Sequence, residues 1–178
     1  MRVKSGGIRS PGSAAFIFIF VTVALDMMAV GITVPVLPKL IIEFQQGDVA
    51  RAAWIVGAFA TLWAAMQFVF SPIIGAASDR FGRRKVILLS NLGLGLDYVL
   101  MAVAPTMAWL FLGRLISGIT SASYPTAGAY IADVTPPAER AGKFGMLGAA
   151  FGLGFIVGPA VGGLLGGIDL RLPFWVAA

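Results

Sequence analysis

The chain contains no cysteine and no histidine. Thiolate and imidazole metal sites, disulfides and any Ser-His or Cys-His nucleophilic chemistry are therefore excluded within it, leaving carboxylates as the remaining strong metal ligands. Charge is also scarce. Only 12% of residues are Asp, Glu, Lys or Arg, against about 25% in soluble domains. What is present in excess is apolar: 58% of residues are hydrophobic, and the mean hydropathy is +0.91. The few charges cluster at intervals and leave long uncharged runs between them.

A membrane-spanning helix needs about 20 predominantly apolar residues. Five windows meet that requirement: Ala14–Pro38, Ala52–Ser78, Val86–Met107, Ala108–Ala132 and Phe144–Ile168. Three of them carry one charge each, Asp26, Asp97 and Arg114, and the other two carry none. A sixth window begins at Leu172-Pro173 and reaches the end of the chain after a few residues. The expected fold is an all-α membrane bundle of five full spans plus the start of a sixth. Residues 1–13, rich in Gly, Ser and basic side chains, are expected to form a flexible cytoplasmic tail. The first apolar run continues past Asp26 to Val34 with no small-residue cleavage site, so it reads as an uncleaved span.

The formal net charge of +5 follows membrane sidedness. With the N-terminus in the cytoplasm, inner segments hold nine Lys or Arg and outer segments three, which is the positive-inside pattern. The expected partner is the lipid bilayer, and no nucleic acid is implied. Pro136-Pro137 stops a helix in one inner loop, and no connection is long enough for a soluble domain.

Two patterns recur at one offset of 87 residues. Gly31-Ile32-Thr33 with Pro38 returns as Gly118-Ile119-Thr120 with Pro125, and Pro72-x-x-Gly75 returns as Pro159-x-x-Gly162. They relate spans 1 and 4 and spans 2 and 5. An odd number of intervening crossings reverses direction, as in a three-plus-three inverted repeat.

Three intramembrane charges are candidate functional groups. A buried arginine costs about 2.5–3.5 kcal/mol on insertion scales, so Arg114 either marks a functional site or, about two turns from the outer end, snorkels to the outer surface. Asp26 falls about midway through span 1. A lone carboxylate there binds a proton or a cation, or pairs with a base. Asp97 and Arg114 each lie about 8.5 residues from the turn between spans 3 and 4, hence at similar depth at ~1.5 Å per residue. They either pair or both face a wet cavity. In span 5, Gly154, Gly158, Gly162 and Gly166 recur every four residues and form a helix face without side chains, suited to close packing. The Gly158-Pro159 step predicts a kink.

The loop Gly75-Ala76-Ala77-Ser78-Asp79-Arg80-Phe81-Gly82-Arg83-Arg84-Lys85 sets a glycine turn and one carboxylate among four cations. It resembles the signature loop of the major facilitator superfamily, G-x-x-x-D-R-x-G-R-R/K, at every fixed position. The resemblance implies a conformational latch made by Gly75, Asp79, Arg80, Gly82 and Arg83. Asp79 would face a helix end in the C-terminal half, and Arg83 would pair with Asp133. Arg114 followed by Gly118 resembles the superfamily's span-4 motif and implies proton coupling. The span-5 pattern, through Gly154, Gly158, Pro159, Gly162 and Gly163, resembles the packing motif of the exporting antiport branches. It favours efflux over uptake of a sugar or metabolite.

Ala24-Leu25-Asp26, Leu96-Asp97-Tyr98 and Ala129-Tyr130-Ile131-Ala132-Asp133 resemble the tetracycline/proton antiporters, and the likeness covers nearly all of residues 16–178. It implies a transporter of the bacterial inner membrane, not an enzyme, with no bound cofactor and a proton gradient as energy source. Its substrate would be a drug, in that family a divalent-metal chelate of tetracycline, and Asp26, Asp97 and Arg114 would carry transport. Ser121-Ala122-Ser123-Tyr124-Pro125-Thr126 departs from that family, which widens the expected substrate to an amphipathic drug. Residues 14–178 would form the N-terminal half of such a transporter, completed by a C-terminal half that is absent here. A truncated remnant without activity is the alternative.

Overall fold

The computed structural model describes residues 11–121 and 123–178. Residues 1–10 of the expected tail lie outside them, as do Ala122 and the side chains of Ser123 and Tyr124 in the departing stretch of span 4. The elements among the described residues are helical: α1 (Pro11–Thr33), α2 (Val36–Phe44), α3 (Val49–Phe81), α4 (Arg83–Val103), α5 (Met107–Thr120), α6 (Ser123–Val134), α7 (Pro137–Gly166) and α8 (Leu172–Ala177).

Helix boundaries follow local chemistry. The Asp48 carboxylate accepts from the Arg51 backbone N–H at 2.9 Å and caps α3. Gly82, at φ 97°, makes the sharp turn into α4 that a side chain would resist. Pro137 opens α7, where its missing N–H costs nothing. Large apolar side chains such as Trp54, Phe68, Ile156 and Leu164 are three-quarters exposed or nearly so. A bilayer solvates such a surface and water does not.

Four helices among the described residues are long and apolar enough to cross a membrane: Phe16–Phe44, Val49–Phe81, Arg83–Val103 and Pro137–Gly166. They match the expected spans 1, 2, 3 and 5. Span 4 is divided into α5 and α6, of 14 and 12 residues. The physical cause is Pro125, which lacks the N–H that would bond the Ser121 carbonyl four residues back. Gln67 Nε2 of α3 donates to that carbonyl at 3.1 Å and satisfies it. Span 1 steps at the equivalent point of the 87-residue offset. There α1 ends at Thr33 and α2 begins at Val36, where α5 ends at Thr120 and α6 begins at Ser123.

Side-chain contacts fix which ends share a face. Arg83 meets Asp133, Arg84 lies 4.9 Å from the Phe18 ring centre, and Lys143 lies 4.1 Å from that of Phe16. The starts of α1, α4 and α7 and the end of α6 therefore lie on one face. On the opposite face, Arg171 Nη1 donates to the Ala102 carbonyl at 2.9 Å. One apolar cluster stands near each face. The first gathers Ile19, Val23, Ile87, Ile131 and Leu147, and the second Val36, Leu40, Ile41, Met101, Leu110 and Phe174.

Candidate functional site

The glycine face of α7 packs on α1 at backbone distance. A Cβ built on Gly158 would stand 2.6 Å from Gly31 Cα, and one on Gly154 2.7 Å from Met27 Cβ. A Cβ on Gly162 would meet the Ile32 carbonyl. Gly163 does not belong to this face. It borders open space, because one residue along a helix turns the side-chain direction by about 100°. The helix runs on through Pro159. A second crossing joins α5 to α3, where a Cβ on Gly118 would lie 2.6 Å from Met66 Cβ and 2.9 Å from the Trp63 carbonyl.

These crossings frame a cavity of about 750 Å³. Asp26 and Val30 of α1, Trp63, Gln67 and Phe68 of α3, Ser121 and Pro125 at the break, and Phe151 and Phe155 of α7 line it. Phe151 and Phe155 stack at 4.7 Å. The cavity thus has aromatic walls, amide and hydroxyl groups at the break of span 4, and one lining carboxylate, Asp26. Spans 2 and 5 contribute more of the wall than spans 1 and 4.

Asp97 and Arg114 stand behind that wall, between α4 and α5. Asp97 is wholly buried, and neither of its carboxylate oxygens has a hydrogen-bond partner among the described residues. Arg114 and the Ser117 hydroxyl are the polar groups that act on it electrostatically. Arg114 does not close an ion pair with it. Instead Nη2 lies 3.6 Å from Met101 Sδ, and Nε is buried without a partner. The two charges share a level, as the spacing required, and neither reaches the cavity. Gly113 makes the arrangement fit, since a Cβ there would lie 2.6 Å from Asp97 Oδ1. Tyr98, also buried, is within electrostatic reach of Asp26, Asp97 and Arg114.

At the α3–α4 turn, Arg83 gathers three partners. Its Nη2 lies 2.6 Å from Asp79 Oδ1, its Nε 2.9 Å from Asp133 Oδ2, and its Nη1 donates to Ser78 Oγ at 2.9 Å. Ser78 Oγ in turn donates to the Gly75 carbonyl at 2.8 Å. Gly75 itself borders open space, and Arg80 lies over the Phe81 ring at 5.4 Å. Both carboxylates are more than half exposed, so solvent screening keeps each bond weak. A double-mutant cycle of Arg83→Gln and Asp133→Asn, read from unfolding in mixed detergent micelles, should give a coupling of about 0.5–1 kcal/mol. The coupling should shrink as salt is raised.

Sequence reading missed Gln67, Trp63, Tyr98 and Gly113. Gly118 carried a usable signal, because the 87-residue offset makes it the counterpart of Gly31.

The family model described as Major Facilitator Superfamily matches residues 19–178. The chain belongs to that superfamily. Among curated proteins it is 46% identical over 164 residues to the class C tetracycline resistance protein of Escherichia coli, covering 92% of this chain and 41% of that protein. It is 48% identical over 155 residues to the class B protein of Escherichia coli, covering 86% and 38% respectively. The Multidrug resistance protein 1 of Bacillus subtilis is 34% identical over 155 residues, or 86% of this chain and 39% of that protein. Among solved structures, the human organic anion transporter MFSD10 superposes with a TM-score of 0.80 at 26% identity, over 94% of this chain and 44% of that one. The chain therefore spans about two fifths of the length of the curated relatives it matches. It is a multi-pass membrane protein of a transporter superfamily.

Proposed function

We propose that this superfamily member is the N-terminal half of a drug/proton antiporter of the bacterial inner membrane, with its N-terminus cytoplasmic and a tetracycline-like amphipathic drug as substrate. The observation that carries the reading is the cavity: aromatic walls with Asp26 as the carboxylate among the lining residues. A metal–tetracycline chelate presents a planar ring system and a cation, which those walls and Asp26 suit. Proton coupling runs through the buried groups behind the wall. A proton on Asp26 alters the field at Tyr98, and Tyr98 is also within reach of Asp97 and Arg114.

In this reading alternating access uses the sequence repeat that relates spans 1 and 4 and spans 2 and 5, together with the charged turn. Arg83, held by Asp79 and Asp133, joins α3, α4 and α6. In the latch reading Asp79 exchanges this intrahalf contact for a helix end of the C-terminal half as the transporter opens and closes. Gly75, Arg80 and Gly82 shape the turn around it. The glycine crossing of α1 and α7 supports an exporting member over an importing one.

The test is proton-gradient-driven tetracycline uptake into inverted vesicles, comparing this chain with a version carrying a second six-helix half. Uptake is expected with both halves and absent with this chain by itself. Substantial uptake by the single half would overturn the half-transporter reading. No uptake by the two-half version would remove tetracycline as the substrate.

A further inference from the structure

A second groove lies outside the drug cavity, between α3, α4 and α5 and beside the α3–α4 turn. Its volume is about 420 Å³ and its walls are almost wholly apolar: Ile74 and Phe81 of α3, Val86 and Leu89 of α4, and Ile119 of α5. Lys85 stands at its mouth. We propose that this groove binds one anionic phospholipid, with an acyl chain along the apolar walls and the phosphate against Lys85.

Dimensions support a lipid chain. The lining runs from Lys85 to Ser90 along α4 and from Phe81 back to Ile74 along α3. These stretches rise about 8 and 10 Å, within the ~15 Å that one leaflet's hydrocarbon provides. The groove closes where it should end, because Gly93 lets Thr120 press against α4. Phe81 and Leu89 are more than half exposed, so the walls open outward to the bilayer.

Charge fixes the headgroup. Of the five charged side chains at the turn, Arg83 is taken up by two carboxylates, Asp79 and Asp133 of α6. Arg80 lies over Phe81 and Arg84 over Phe18. Lys85 is exposed and makes no ion pair among the described residues. A mobile ammonium at the headgroup level above an apolar slot suits a phosphate diester with net negative charge. Basic pockets between spanning helices recognise anionic headgroups in this way. With Asp133 also on Arg83, the turn and its partner carry four cations against two carboxylates, so a zwitterionic headgroup would leave a net positive charge unmatched.

The experiment uses the purified chain, delipidated in neutral detergent and titrated with phosphatidylglycerol or phosphatidylcholine of identical acyl chains. Bound lipid is counted by native mass spectrometry. Phosphatidylglycerol is expected to bind in preference. Lys85→Gln should weaken it about fivefold, the factor one lysine near an anionic surface contributes, and leave phosphatidylcholine unchanged. Ala77→Phe, which fills the groove, should weaken both lipids. Arg51→Gln, at the opposite face, should change neither.

Equal affinity for the two lipids would overturn the proposal. So would an unchanged phosphatidylglycerol affinity in Lys85→Gln, or a loss as large in Arg51→Gln. Loss of the bound lipid when a second six-helix half is supplied would assign the groove to a helix of that half and overturn it equally. Lys85→Gln alters an exposed side chain without an ion pair, so its fold, checked by circular dichroism, should be intact.

Discussion

Gly158→Ala should destabilise the chain by about 1–2 kcal/mol, whereas Gly163→Ala, on the same helix, should stabilise it by up to about 1 kcal/mol. Both substitutions exchange glycine for a better helix former, which by itself favours the variant. The difference lies in what the new methyl group meets. At Gly158 it would meet Gly31 Cα at 2.6 Å and Gly31 C at 2.7 Å. These are backbone atoms and cannot turn aside by a rotamer change, so α1 and α7 must separate and lose contact along the crossing. At Gly163 it would meet nothing within 4 Å. Unfolding followed by circular dichroism in mixed micelles of rising denaturing-detergent fraction would read both. Equal midpoints for the two variants would mean that the glycine face does not set the α1–α7 distance. Gly158→Leu should prevent recovery of folded, monodisperse protein.

The second large effect separates stability from transport. Asp97→Asn is expected to leave the folded chain as stable as before, or more stable by about 1 kcal/mol, while abolishing proton-driven uptake in the two-half transporter. The reason is the setting of Asp97. It is wholly buried, and neither carboxylate oxygen is hydrogen-bonded among the described residues. Arg114 and Ser117 act on it electrostatically but close no hydrogen bond to it, as the donors of a stabilising carboxylate would. An amide of the same shape fills the space against Gly113 without the desolvation cost of a charge. If Asp97→Asn instead unfolds the chain, Asp97 serves as a structural counter-ion to Arg114. If the variant transports normally, Asp97 lies off the proton route.

Much of the architecture was legible because the bilayer imposes it. A span must be long and apolar, and a charge within one is conspicuous, so the windows and the trio Asp26, Asp97 and Arg114 stand out in one dimension. The four-residue period of Gly154, Gly158 and Gly162 was readable for a similar reason, since a helix converts that period into a face. Gly163 shows the limit of reading by motif: it shares the pattern but points away from the contact. Gly113 and Gln67 were not legible at all. Their roles depend on which element stands opposite, Asp97 on α4 for one and the freed Ser121 carbonyl just past the end of α5 for the other. Neither neighbour can be inferred from sequence distance. The separation of Asp97 from the cavity was equally hidden, because depth follows from residue counting but helix rotation does not.

The interruption of span 4 bears on how the chain is threaded. A tally of uninterrupted apolar helices returns an even number and would set the Gly167–Arg171 turn on the same face as the α3–α4 turn. Two contacts on opposite faces contradict that threading. Arg83 holds the end of α6 beside the α3–α4 turn, and Arg171 holds its own turn beside the end of α4. Two half-length helices joined at Ser121 make one full traverse, and the parity becomes odd. A reporter fused after Gly167 and another inserted at Gly82 should therefore report from opposite compartments, although hydropathy by itself would place them together.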